Sequence, residues 1–297
     1  MATANDLIEE TKRHLFSGQN EELNRLSGAV TSNATSMLMT YDLGGIQRGA
    51  TIAIDLEEIQ VWEANGKTAS VVQRGVNGTT AAAHADLATV TVKPKFSAFR
   101  ILTAINHDLR DLSSPDNGLY QIKTITLTYS PVIQGYDLTA TAGDVLGIQE
   151  VRFETVGPEK SWPRIDSYAL RRNMSTADFP SGTALVLYEG GFPGQDIRVS
   201  YKAPFVSLAA TTDDVFVVSG LPVSAVDLPP LGAAMRLVAP RDVKRSFSEH
   251  QGEPRRAEEV PPGSAASAMR GIMMLRQQRI NAERARLTAL HPIIQVW

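Results

Sequence analysis

The chain has 297 residues, of which 43% are hydrophobic and 21% charged, with a net charge of -3 and no cysteine. That length is enough for two or three compact modules, each with its own core. The near-neutral charge gives no global reason to expect nucleic acid or an anionic membrane as partner, and the lack of cysteine excludes disulfides, thiolate metal sites and a cysteine nucleophile.

Leu7, Ile8, Thr11, Leu15 and Phe16 fall near helical spacing, with Asp6, Glu9 and Glu10 in the first turns. This predicts an amphipathic helix closed at Gly18. Residues 1–10 lack the basic and apolar regions of a secretory leader, and no apolar run approaches the roughly 20 residues of a membrane span. The expectation is a protein made and kept in the cytosol, or in something assembled there. The period then changes to two at Met37, Met39 and Tyr41. Short β-rich runs follow at 51–54, 59–62, 70–73 and 87–92. Asn65-Gly66 predicts a tight type I′ hairpin between two of them, because both residues tolerate positive φ. From Phe96 the helical period returns. Phe99, Leu102, Ile105, Leu109 and Leu112 predict a helix that covers this small β module and ends at Ser114-Pro115 and Asn117-Gly118.

From 119 to 208 the pattern is a succession of strands. Ile122, Ile125 and Leu127 begin it, followed by Val151 with Phe153, Tyr168 with Leu170, Leu185 with Leu187, and Ile197 with Val199. Turn-rich joints such as Ser181-Gly182 and the run 190–194 separate them at the spacing of an inserted antiparallel β-sandwich. The last third predicts a helix from about Leu221 through Leu237 that breaks at Pro240. A charged segment, 241–259, comes next. Pro261, Pro262 and Gly263 lead to a final helix capped by Ser264 and running to about Leu290. Met269, Ile272, Met273, Leu275, Arg276, Ile280, Glu283 and Leu287 give it one apolar and one basic face, and core packing is the first expectation for Met269, Ile272, Met273 and Ile280. The fold class expected is α+β: a helical scaffold with a small β module and an inserted antiparallel sandwich. The domains expected are 1–118, 119–208 and 209–297.

Little in the chain points to catalysis. His14, His84, His107, His250 and His291 are scattered, and none stands in the H-x-H or H-E-x-x-H relation of a metal site. Asp213-Asp214 and Glu258-Glu259 read as solvated charge, since adjacent side chains diverge in most backbones. Gly44-Gly45 and Gly190-Gly191 lack the lysine and helix of a phosphate loop, and no G-x-S-x-G elbow is present. The expectation is a non-enzymatic protein with no catalytic residue, no metal and no cofactor.

One run stands out. It comprises Ile54-Asp55-Leu56-Glu57, then Val72-Gln73-Arg74-Gly75-Val76-Asn77-Gly78-Thr79-Thr80-Ala81, then His84 and Val90. Read physically, Gly75 and Gly78 let the backbone turn sharply after a strand, Thr79 and Thr80 satisfy local amides, and Arg74 is placed to pair with Asp55 or Glu57. Such a loop fixes the β module or contacts a neighbouring subunit. The run resembles a pattern recurring in tailed-phage virion proteins of the connector and tail region. The segments 228–237 (LPPLGAAMRL) and 255–263 (RRAEEVPPG) are similar to stretches of phage head-to-tail adaptor proteins, which form a ring between portal and tail. The resemblance covers about two thirds of the chain and leaves out the sandwich.

The resemblance implies a structural virion subunit in the neck or tail region, assembled in the host cytoplasm. It implies a homo-oligomeric ring, twelve-fold in that family, with portal and tail or neck proteins as partners and DNA passing through without specific binding. Arg255, Arg256, Glu258 and Glu259 are then either a solvated charge run or inter-subunit ion pairs. Arg270, Arg276, Arg279, Arg284 and Arg286 are possible contacts to DNA in the channel. Ile293, Ile294, Val296 and Trp297 form an apolar tail expected to dock, with the portal as its partner. The alternative is a tail or baseplate protein whose sandwich binds a receptor or glycan through Trp162, Tyr168, Tyr188 and Phe192. No membrane is expected.

Overall fold

The computed structural model describes every residue except 1, 17–20, 44–45, 47, 134, 139–143, 156–160, 250–263 and 292–297, and omits the side chains of 239–249 and 264–268. Helices and antiparallel sheets make an α+β protein. The chain divides into two compact units: Met1–Leu109 with Ser207–Ser219 and Val223–Arg279, and Arg110–Val206 with Gly220–Pro222 and Ile280–Trp297.

The first unit begins with α1 (Ala4–Phe16) and six strands: β1 (Glu22–Arg25), β2 (Met37–Leu38), β3 (Ala50–Ile54), β4 (Glu57–Asn65), β5 (Thr68–Gln73) and β6 (Thr89–Val92). They pair in the order β1-β6-β3-β4-β5-β2. The two outer strands also meet. Leu26 bridges Met39, Ser27 N–H donates to the Leu38 carbonyl at 2.8 Å, and Thr40 N–H donates to that of Arg25 at 2.8 Å. The small β module is therefore a closed barrel, and closure removes the unpaired edge between its first and last strands. Its interior is apolar, with Leu26, Met39, Ile52, Ile54, Ile59, Val61 and Ala69 fully buried. The hairpin signal falls in the right place but one residue early. Asn65 pairs with Thr68 as part of the ladder, the loop is Gly66-Lys67, and only Gly66 of these takes positive φ (56°). A second tight hairpin went unread: Ile54 pairs with Glu57, so Asp55-Leu56 is a turn rather than strand, and Asp55 adopts a φ of 51°. Aspartate is one of the few side chains that visit this region routinely.

α2 (Ala98–Leu112) buries the stripe Ile101, Leu102, Ile105, Leu109 and Leu112 and stops where Gly118 N–H reaches back to the Ser114 carbonyl at 2.7 Å. α3 spans Leu228–Glu249, so two expectations are corrected. It starts at Leu228, not near Leu221, because Pro229 and Pro230 fit only the first turn, where their missing N–H groups have no helical acceptor. Only short turns precede it, at Val215–Ser219 and Val223–Ala225. It also continues through Pro240, which removes a single helical hydrogen bond. α1 packs against α3. α4 (Ser264–Leu290) has the predicted bounds. Arg276, Ile280, Glu283 and Leu287 are its buried line, whereas Met269 and Ile272 are half-buried. Met273, expected in the core, and Leu275 are exposed together with Met274.

The second unit holds the sandwich. β7 (Gln121–Thr128), β9 (Gly147–Phe153), β10 (Arg164–Ile165) and β13 (Asp196–Ala203) form a sheet in the order β10-β9-β13-β7. β8 (Tyr136–Asp137), β11 (Tyr168–Arg172) and β12 (Thr183–Leu187) form another, in the order β11-β12-β8. Alternate residues of both sheets meet in one core, Val151, Phe153, Ile197 and Val199 from the first and Tyr136 and Leu185 from the second. Tyr129 meets Phe153 edge to face at 5.6 Å. Among the described residues no helix is long and apolar enough to cross a membrane.

Candidate functional site

The run from Ile54 to His84 is built around Glu57. This residue opens β4 on the barrel, and its side chain is 1% exposed. A buried carboxylate survives only when its oxygens are fully hydrogen-bonded. Five donors do this. Arg74 donates through Nε and Nη2 at 2.7 Å each, the amides of Gly75 and Ala82 at 3.0 Å, and His84 Nε2 at 2.9 Å. Burial alone would raise the Glu57 pKa. The hydrogen bonds from Arg74, then the Ala82 amide, His84 and the Gly75 amide outweigh it and hold the group at about 2. The residue types follow from the geometry. Gly75 has a φ of 62°, and a side chain there would press on the Ala81 amide and the Thr79 carbonyl at 3.1 Å. Arg74 also donates to the carbonyls of Thr31 and Ala82.

His84 is the second node, with a side chain 1% exposed. Its Nδ1 lies 2.9 Å from Asp55 Oδ2, while its backbone pairs with Val30 in both directions. The Asp55 hydrogen bond, opposed by burial and joined by that of Glu57, raises the His84 pKa. Because the two carboxylates bind opposite nitrogens of the ring, the three groups do not converge on a point where an ion would sit. Glu58, also buried, works from the same strand. It bonds Asn77 Nδ2 and Ser97 Oγ, pairs with Arg100 at 3.0 Å, and its amide donates to Thr79 Oγ1 at 3.1 Å. Glu57 thus ties down the loop 74–84, and Glu58 ties that loop to the start of α2. Beside them a polar cleft of about 310 Å³ is lined by Asn5, Glu9, Lys12, Asp55, Thr89 and Thr91. Lys12 is already held by Glu9 at 3.0 Å and Glu21 at 3.6 Å, so the cleft offers an anion no uncommitted charge.

The run 228–237 has a comparable centre. Asp108 of α2 is 1% exposed and receives Arg276 Nη2 at 2.7 Å, with Arg236 Nε at 3.8 Å. Gly232 makes room for it, since a β-carbon there would lie 1.9 Å from Asp108 Oδ1. Periodicity missed this aspartate as a site residue. The signal was available, because Asp108 stands on the same stripe as Ile101, Ile105 and Leu112.

The sequence-based candidates are distributed as follows. Arg276 is buried on Asp108, Arg279 donates to Asp227 at 2.7 Å and to the Ser224 carbonyl, and Arg286 donates to Glu283 at 2.7 Å. Arg284 is exposed, with Nη1 3.5 Å from the Asp116 carbonyl, and Arg270 is exposed. Ile293, Ile294, Val296 and Trp297, and Arg255, Arg256, Glu258 and Glu259, lie outside the described residues. Of the four aromatic rings proposed as a platform, Tyr188 and Phe192 are exposed, Tyr168 packs against the sandwich core and Trp162 lies under Arg198. Compared with known protein families and with curated proteins, the chain matches none.

Proposed function

We propose that this chain is a non-enzymatic structural subunit of a tailed-phage virion, acting in the head-to-tail connector as a ring between portal and tail. The observation that carries this reading is the use made of the motif residues. Glu57, Arg74 and His84 are the groups an enzyme would present to a substrate, and here each is buried and engaged by its neighbours. Their role is to hold a loop in one shape, as a building block requires. A second support is the run Met273, Met274 and Leu275, exposed by 57%, 66% and 48% on α4. Consecutive exposed apolar side chains of this kind mark surfaces that associate.

The test is assembly. Purified chain, alone and mixed with portal rings, is examined by mass photometry and negative-stain imaging, and the same is done after deleting 293–297. A ring that binds portal, and loses portal but not its fold on deletion, supports the reading. A chain that stays monomeric with portal present overturns it, as does a truncated chain that still joins particles at normal occupancy.

A further inference from the structure

The outer face of the four-stranded sheet carries an arrangement that its own stability does not call for. The register sets Arg164 of β10 opposite Arg152 of β9, and Arg152 opposite Arg198 of β13, with Thr126 of β7 next in the row. Directly opposed residues on adjacent strands project to the same face about 5 Å apart, and like charges so placed are destabilising. Two of the three guanidinium groups are neutralised locally, Arg152 by Glu150 at 2.7 Å and Arg164 by Asp166 at 3.0 Å.

Arg198 is arranged differently. Its guanidinium carbon lies 3.8 Å from the centroid of the Trp162 ring, and the residue is exposed. Among the described residues no carboxylate or other acceptor meets its N–H groups. Stacking engages only the flat face of a guanidinium. The fork of donors that matches a carboxylate in bidentate fashion has no partner among the described residues, and the ring restricts the rotation that a free arginine would lose on binding.

We propose that Arg198, held over the Trp162 ring beside Arg152 and Thr126, is the receptor for a single carboxylate presented on a mixed-sign surface of a partner protein. Charge on the same face favours a protein over a polyphosphate. Glu150, Asp166 and Asp196 surround the arginines, and a nucleic-acid strand with a phosphate at every step would meet them as well. A single glutamate or aspartate on a mixed-sign protein surface engages Arg198 and leaves the neighbouring ion pairs intact. This inference rests on the sheet alone and stands apart from the connector reading.

The experiment uses the full chain at low ionic strength, with a fluorescently labelled mixed-sign peptide carrying one glutamate followed by anisotropy, and inorganic phosphate and oligothymidylate as competitors. Saturable peptide binding is expected, weakened at least tenfold by Arg198→Gln and less by Arg198→Lys, which keeps the charge but not the fork. Circular dichroism shows that the variants stay folded. The proposal fails if the one-glutamate peptide does not saturate or if Arg198→Gln binds it as tightly as the parent. Stronger binding of phosphate or oligothymidylate than of the one-glutamate peptide also overturns it.

Discussion

The barrel unit and the sandwich solve the same problem in opposite ways. The barrel carries a long excursion between β5 and β6 that has little regular structure, and it holds this loop from inside with buried charge on Glu57, Glu58 and His84. Between residues 119 and 206, by contrast, no charged side chain among the described residues is buried; Val151, Leu185, Ile197 and Val199 fill the interior, and the arginines stay on the outer face. The difference bears on what each sequence must specify. An apolar core tolerates many residues of similar volume. A buried carboxylate demands particular donors at particular positions, since one missing partner leaves a desolvated charge. The charged network therefore fixes residue identities in the barrel that the apolar core of the sandwich leaves open.

The sharpest way to break the comparison is to remove the central charge. Glu57→Ala removes the acceptor shared by Arg74, His84 and the Gly75 and Ala82 amides, leaving Arg74 only the Thr31 and Ala82 carbonyls and His84 only Asp55, and should cost about 3–5 kcal/mol, the range for breaking a buried pair. Hydrogen exchange should show lost protection at the Val30 and His84 amides and unchanged protection along β7 and β13. If the barrel stays as stable as before, the charged network does not hold the loop.

The sandwich counterpart is Leu185→Ala, a fully buried leucine, expected to cost about 2–5 kcal/mol through lost burial and the cavity left behind. Denaturant titration at several pH values between about 5 and 8 should give the same loss throughout, because no carboxylate or histidine belongs to that core. Gly232→Ala tests the second charged centre. Its β-carbon would displace Asp108 from Arg276, and overpacking of this kind costs about 1–3 kcal/mol. A neutral result would mean that α3 can shift without disturbing the ion pair.

The pH dependence separates the two regions further. Glu57 is lowered from 4.5 to about 2, so its contribution is complete above 4.5 and is lost as pH falls toward 2. His84 is raised above 6.5, so its contribution is complete below 6.5 and is lost as pH rises through the raised value. Barrel stability should therefore be greatest between these limits in thermal melts. His84→Gln should flatten the alkaline decline and leave the acid one. The smallest effect is expected on the outer sheet. Arg152→Thr removes a favourable pair with Glu150 and two unfavourable neighbours together, and should change stability by less than about 0.5 kcal/mol.

Much of this was legible in the chain itself. The alternation of Ile125 with Leu127, Val151 with Phe153 and Ile197 with Val199 predicted strands, and the stripe of α2 and the bounds of α4 agreed with the helical spacing. Arg74 was placed against Asp55 or Glu57, and the structure selects Glu57. What the chain alone did not disclose has a common character. Closure of the barrel through Leu26 and Met39, the bridging of His84 between two carboxylates, the clamp on Asp108 and the row of three arginines all join residues far apart in sequence. Periodicity reports how successive side chains project from one element, which is a local property of the backbone. Whether a charge is buried, and which residue stands opposite it, depends on strand order and register. Those were decided only when distant segments packed together.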